Sequence, residues 1–384
     1  MARAFTSVNW AILIGQYGGV GGVSDYTTLL AADLTRAGDQ VSVYASFPSD
    51  LQLQERRFKV VKLDGSFTPG ALAALDRMLE SQRPDRVLVQ YVPHTFGRRA
   101  INVRFCLWLY ARRHRYPIWV MFHEVAVEVK RNQPLRRNFL GAITHLMAFL
   151  AARAAQRIFV AIPAWELMLK PALTKGQVAE WLPVPSNIPV VSDVEQSLNI
   201  RKRYVAEDEI LIGHFGTYGQ WTAEPVAQSL VRIMNRGSNR KALLLGAGSS
   251  EFRTRLADRH PSLGDRLYAS GALEASELSL HLSACDLMVQ PYPDGVCTRR
   301  GSVMACLAHG LPIVTTSGRF TEPIWRDAGA ALFSSENDPD DMARQVDLLT
   351  RETATRKRIG AAGKALYDRR FALNHTIEAL RSPR

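Results

Sequence analysis

The chain of 384 residues is poor in cysteine and has no long hydrophobic run, internal repeat or low-complexity tract. Its four cysteines (Cys106, Cys285, Cys297, Cys306) form no C-x-x-C pair, which argues against a short-spaced zinc site and a disulfide framework and fits a reducing compartment. The longest apolar stretch, Leu140–Ala152, is interrupted by Thr144 and His145 and falls short of the ~20 residues a membrane span needs. Met1 to Gly15 holds one arginine and a short apolar run, Trp10–Ile14, that passes into a glycine loop without a cleavage pattern, so no export signal is read. A hydrophobic content of 47% with 22% charged residues excludes disordered and fibrous classes, and the length suits two or three domains.

Acidic residues are scarce in one region. The formal charge is +12, and the segment from Phe96 to Arg157 holds twelve Arg/Lys against Glu124 and Glu128, hence +10 of the total. Such a segment suits an anionic partner. No nucleic-acid recognition motif and no aromatic interleaving of the kind that stacks bases accompanies it, so nucleic acid is not expected; an anionic membrane surface or a phosphorylated substrate remains, beside the plain reading of solvated helix faces. Leu140–Ala152, between Arg136-Arg137 and Arg153, reads either as a core helix or as a segment lying on an anionic leaflet.

Short apolar runs alternate with amphipathic stretches. Trp10–Ile14, Val41–Ala45, Phe58–Leu63, Arg86–Val92, Pro117–His123 and Arg157–Ala161 read as strands, too continuously apolar to be half-exposed, with helices such as Ser24–Ala37 and Gly70–Arg83 between them. Leu182–Val190 holds three prolines and reads as a linker. Strand-like runs resume at Glu209–His214, Lys241–Gly246, Arg266–Ala269, Asp286–Gln290, Leu311–Thr315 and Ala330–Phe333, and helices near Pro339–Thr350 and Glu352–Phe371 close the pattern. The alternation predicts an α/β protein with two doubly wound parallel sheets, residues 1–186 and residues 187–366; the remaining segment, 367–384, is expected to pack back on the first domain.

Three places can carry chemistry. Gly15 to Tyr26 is a glycine-rich turn from strand to helix; glycines let a ligand approach the backbone, and a helix start offers N–H groups to an anion. It matches a dinucleotide fingerprint poorly, since Ser24 stands where a third glycine is wanted, although Asp39 lies near the distance of a ribose-binding carboxylate. Phe122-His123-Glu124 ends the fifth strand, where open α/β sheets gather ligands. Gln290 to Thr315 runs from a strand through a Pro/Gly turn into a helix opened by Arg299, Arg300, Gly301 and Ser302, and these can hold a diphosphate without a metal.

Together with Phe215-Gly-Thr217, Leu243–Gly248, Gly271-Ala-Leu273, Ala284-Cys-Asp286 and Met304–Thr316, these places resemble retaining glycosyltransferases of the GT-B fold, in particular glycosyltransferase family 4, over nearly the whole chain. The resemblance implies two Rossmann-like domains facing a cleft, a nucleotide-diphosphate sugar as donor and a hydroxyl acceptor, which is a glycan, a lipid-linked acceptor or a small molecule. Donor-binding residues carried over are Gly19, Gly21, Gly22, Thr217, Gly271, Ala272, Leu273, Arg299, Arg300, Gly301 and Ser302, with Glu322 nearby. His123 is placed beside the transferred sugar, with Asp25 and Asp294 as further catalytic candidates. Arg98, Arg99, Arg136 and Arg137 fall on the acceptor or membrane side. The expected enzyme is a cytoplasmic hexosyltransferase, peripheral to the inner face of a membrane, retaining, and free of metal or other cofactor.

The sequence departs from the family where two glutamates are usual: the matching positions are Cys297 and Ala305, leaving Asp294 as the nearby carboxylate. Basic residues usual after the second domain's first strand are replaced by Gly216-Thr217-Tyr218-Gly219, so Arg299 and Arg300 are expected to supply that charge. Asp25 acting as general base is the inverting alternative. A sugar-nucleotide epimerase and an inactive scaffold binding anionic lipid or polymer are the rival functions.

Overall fold

The structure, a computed structural model, describes residues 7–18, 22–46, 57–65, 67–96 and 101–382. The chain divides into two compact units, Met1–Pro183 with Leu373–Arg384, and Val184–Ala372.

The first unit contains β1 (Asn9–Gln16), α1 (Gly22–Arg36), β2 (Gln40–Ser46), β3 (Lys59–Lys62), α2 (Pro69–Gln82), β4 (Arg86–Tyr91), α3 (Val103–Arg112), β5 (Ile118–Phe122), α4 (Leu135–Ala154), β6 (Arg157–Val160), α5 (Ala164–Leu169) and β7 (Ala179–Trp181). Its sheet has the order β3-β2-β1-β4-β5-β6-β7, all parallel. Every residue of β5 is buried, as are Trp10 to Ile14 of β1, because helices cover both faces. The sequence reading misses β7: three residues on a partly exposed edge leave no apolar run to detect.

The second unit contains α6 (Val194–Arg201), β8 (Ile210–Phe215), α7 (Ala223–Asn235), β9 (Arg240–Leu245), α8 (Ser249–Arg259), β10 (Leu267–Ala269), α9 (Ala275–Ser283), β11 (Leu287–Gln290), α10 (Gly301–Ala308), β12 (Ile313–Ser317), α11 (Ile324–Asp327), β13 (Leu332–Ser335), α12 (Pro339–Arg351) and α13 (Thr353–Leu366). The sheet order is β10-β9-β8-β11-β12-β13, again parallel throughout. One apolar cluster packs Ile233 of α7 and Met342 and Val346 of α12 on Leu287 and Val289; another joins Val226, Leu230, Phe252 and Leu256 to Leu244.

Glu352–Phe371, expected as one helix, is α13 followed by a π-helical turn, Tyr367–Phe371. That turn stays with the second unit, since the Ser186 N–H donates to the Tyr367 hydroxyl (3.2 Å) and the Phe371 ring lies 5.7 Å from Trp325. The chain then forms α14 (Leu373–Arg381) in the first unit. Arg86 donates to the Leu380 carbonyl, Arg157 to those of Ala379 and Ser382, and Arg381 pairs with buried Asp39 at 3.2 Å. Basic side chains thereby satisfy the carbonyls a helix C-terminus leaves open. Asp39 also accepts from the Val8 N–H (3.1 Å) and Trp10 Nε1 (3.0 Å). Its carboxylate is consumed inside the unit, which corrects the expectation that it lies open to a ribose.

In both sheets the strand order reverses beside the first strand of the unit, between β1 and β4 and between β8 and β11. The loops leaving the carboxyl ends there are where doubly wound sheets hold ligands.

Candidate functional site

In the second unit, Pro291 and Pro293 end the β11 ladder and turn the chain outward. Gly295 has φ +80°, and a Cβ on it would lie 2.2 Å from the Gly318 backbone nitrogen, so only glycine lets the loop after β11 lie against the loop after β12. The loop reaches α10 through Cys297 and Thr298, both buried. Glu322 fixes it: Oε1 accepts from the Thr298 N–H (3.0 Å) and hydroxyl (2.6 Å), while Oε2 accepts from Trp325 Nε1 (2.7 Å). Burial pushes this carboxyl above the usual range, and the three donors oppose that shift.

The loop ends in the two arginines. Arg300 occupies the N-cap of α10, its guanidinium 4.9 Å from the centre of the Tyr292 ring, and its Nε is buried with no hydrogen-bond partner among the described residues. Arg299 stands 5.9 Å from the Phe320 ring. The first turn of α10 has neither an acidic residue nor a side-chain cap hydrogen bond, so the turn itself supplies nothing to offset its open N–H groups and positive dipole end. Gly301 and Ser302 start this turn. The Tyr292 hydroxyl donates to Gln290 Oε1 (3.2 Å) and is 2.8 Å from the Ser302 hydroxyl. The Ser302 proton is then directed at Tyr292, and what Ser302 offers a ligand is its backbone N–H.

Asp294 lies in the same loop, but its Oδ1 accepts from Arg319 Nε (2.9 Å) and Nη2 (2.8 Å), an ion pair that braces the turn. Cys297 and Ala305, where the family resemblance would set glutamates, are fully buried. Thr217 is exposed beyond β8, and its carbonyl accepts from the Thr222 hydroxyl at 2.6 Å. Gly271, at φ +67° beyond β10, donates its N–H to the Ser249 hydroxyl (2.9 Å) and accepts from that of Ser270 (2.8 Å).

In the first unit, His123 follows β5 and is buried. Its Nε2 lies 2.7 Å from Gln90 Oε1 on β4, so Nε2 carries the hydrogen; the Tyr26 ring lies edge-on at 5.0 Å, and the His123 carbonyl accepts from Trp165 Nε1 (3.0 Å). Burial lowers its pKa to about 4, with Glu124 opposing, so the imidazole is neutral at pH 7. The neighbouring Glu124 carboxylate binds His94 Nε2 at 2.9 Å, which raises the His94 pKa. Asp25 is exposed in the first turn of α1, where Gly22 begins the helix and the Gly18 N–H donates to the Ser24 hydroxyl (2.9 Å). Arg136 and Arg137 are exposed at the start of α4. Gly19, Gly21, Arg98 and Arg99 lie outside the described residues.

Sequence reasoning left out two residues, Gln90 and Tyr292, and gave Glu322 no definite part. A polar side chain in the otherwise apolar run Arg86–Tyr91 is the signal that could have found Gln90. Among the described residues no group of three His, Cys, Asp or Glu is placed to hold a metal ion.

Two family profiles match the chain, Glycosyltransferase Family 4 over residues 20–164 and Glycosyl transferases group 1 over residues 210–352. Among solved structures, sucrose-phosphate synthase from Thermosynechococcus elongatus superposes with a TM-score of 0.72 at 16% identity, covering 97% of either chain. Anabaena HepE, solved with UDP and glucose, gives 0.71 at 15% identity over 98% of this chain and all of its own. A protein assigned as a UDP-N-acetylglucosamine 2-epimerase from Listeria monocytogenes gives 0.58 at 14% identity, covering 98% of this chain and 96% of that one. No curated protein matches the sequence. The two parallel-sheet units and both profiles define the class: the protein is a glycosyltransferase with the GT-B fold. Within that class the chain belongs to the glycosyltransferases of family 4 and group 1.

Proposed function

We propose that the protein is a hexosyltransferase that takes its sugar from a nucleotide-diphosphate donor and passes it to a hydroxyl acceptor with retention and without a metal. The observation that carries this is the start of α10, where Arg299 and Arg300 lead directly into a first turn that has open backbone N–H groups and no acidic residue. A diphosphate suits the positive end of this helix, and two arginines offset the charge that builds on it as it leaves. The solved complex of HepE with UDP and glucose supports a donor of this kind.

In the reaction the bond from the anomeric carbon to the diphosphate oxygen breaks. The acceptor oxygen bonds to the same face of that carbon, and its proton passes to the departing diphosphate. No protein carboxylate need become attached to the sugar. Asp294 is held by Arg319 and Glu322 by its three donors, which supports this route over a covalent intermediate. His123, neutral and fixed by Gln90, serves as a hydrogen-bond partner for a sugar or acceptor hydroxyl and holds no charge.

A thermal-shift panel of UDP-, GDP-, ADP- and dTDP-sugars in the presence of EDTA tests the reading. One base is expected to stabilise the protein, by roughly 2.7 kcal/mol when its sugar is present at 100 times its dissociation constant. Stabilisation by none of the four, or only when a divalent ion is added, overturns it. With an acceptor in hand, the product should keep the donor's anomeric configuration by NMR; inversion would give Asp25 the role of base, and an epimer formed from donor alone would replace the transferase reading.

A further inference from the structure

The second unit holds a pocket that the donor reading does not use. It lies at the carboxyl ends of β11, β12 and β13, between the first turns of α7 and α12, and has a volume of about 160 Å³, room for one six-membered ring. The right-handed crossover rule separates it from the start of α10. The connection through α7 runs from β8 to β9 and that through α10 from β11 to β12, in opposite directions across the sheet, so the two helices cover opposite faces. Helices α7 and α12 pack on each other, whereas α10 packs on α13. The pocket and the β11–α10 loop share Tyr292. Its hydroxyl lies 2.8 Å from that of Ser302, and its N–H and carbonyl are both tied to the Thr316 hydroxyl, at 2.8 and 2.6 Å.

The lining selects the occupant by charge and by shape. Its charged groups are Glu224 and Asp338, and among the described residues no Lys, Arg or His lines it, so an anion such as a phosphate is repelled. Pro225, Pro291, Pro293 and Pro339 fix φ along the walls, which keeps the shape formed before a ligand arrives. Buried Met342 adds apolar surface, and Ser229, Gln228 and Asn337 add hydroxyl and amide groups. The Gln228 amide donates to Glu224 Oε1 (2.9 Å), so the two side chains form one polar edge. Asn337 has φ +59°, a left-handed conformation that glycine takes more readily, and it sets an amide at the rim. Trp221 stands 74% exposed just before α7. The chain is already wound there, since the Ala223 N–H donates to the Gly219 carbonyl (2.9 Å) and the Thr222 hydroxyl to that of Thr217 (2.6 Å). Trp221 precedes Pro225 and Gln228 by four and seven residues, and helical spacing sets it on the face of α7 that lines the pocket. An indole face, fixed apolar walls and hydrogen-bonding groups without a cation match a pyranose ring, which has an apolar C–H face and a rim of hydroxyls.

We propose that this pocket, with Trp221 at its rim, binds an uncharged sugar unit. The ligand class rests on the transferase reading and deepens it, since a sugar held apart from the diphosphate site is a unit of a glycan acceptor. Saturation-transfer NMR with no nucleotide present tests it, using the methyl glycosides of glucose, galactose, mannose and N-acetylglucosamine and the 6-phosphate of each sugar. At least one glycoside should bind, about tenfold or more tightly than its 6-phosphate. The variant Trp221→Ala/Gln228→Ala/Asn337→Gly should weaken that binding about tenfold or more, because an apolar face and two hydrogen-bonding amides are removed. It should melt at the wild-type temperature, since Trp221 and Gln228 are exposed and glycine suits the backbone at 337. Its affinity for the nucleotide sugar should equal that of wild type, and Arg299→Ala/Arg300→Ala should keep glycoside binding, so either site can fail while the other stands. Binding of none of the four glycosides, equal binding of the 6-phosphate, or full glycoside binding by the triple variant overturns the proposal and leaves the donor reading intact.

Discussion

His123 shows how one buried position sets both stability and chemistry. Its pKa is lowered to about 4 in the folded chain, while an unfolded histidine titrates near 6.5. The unfolded chain therefore takes up a proton that the folded chain refuses, and stability present above pH 6.5 is lost as the pH falls toward 4, at about 1.4 kcal/mol per pH unit for this group. His214 in the second unit, buried and lowered to about 3, adds a loss of the same sign. Urea unfolding at a series of pH values should show wild type weakening below pH 6.5 and His123→Asn weakening less; equal slopes would contradict the assignment. Because the imidazole stays neutral, the pH–rate profile should show no step near 6.5 from His123. Its place beyond a strand end was legible in the sequence. Its partner was not, since nothing local tells whether a histidine will bond the adjacent Glu124 or a glutamine from another strand.

At the scale of elements, the proposed donor site depends on how the β11–α10 loop is held. Gly295 against Gly318 and Glu322 against Thr298 act from two sides, and neither contact contains a ligand-binding atom. Gly295→Ala forces a side chain into both a positive φ and a backbone nitrogen, and should cost about 2 kcal/mol or more of stability. Chemical denaturation reads that loss, and a change below about 0.5 kcal/mol would show that the two loops do not bear on each other. The sequence marks this segment through its prolines, glycine and paired arginines, all of which act locally. The pairing of Asp294 with Arg319 and the direction of the Ser302 proton depend on chain neighbours far apart in sequence, so composition and spacing hold no trace of them. The outward Leu and Phe of α4 are a similar case: periodicity shows a stripe without saying which stripe faces the core.

Across the whole molecule, the architecture was readable because both sheets are covered on both faces, so twelve of the thirteen strands among the described residues stand out as nearly continuous apolar runs. Function required the arrangement of loops at the strand ends and the family likeness together, since a doubly wound sheet alone supports many chemistries. The account turns on a diphosphate bound by the start of α10. Isothermal titration of the nucleotide sugar selected by the thermal-shift panel, into wild type and into Arg299→Ala/Arg300→Ala, measures this directly. With charge-assisted hydrogen bonds contributing about 1.5–3 kcal/mol each, the double variant should bind the donor about 100-fold more weakly while melting at the wild-type temperature. Unchanged affinity in a folded double variant would contradict the account.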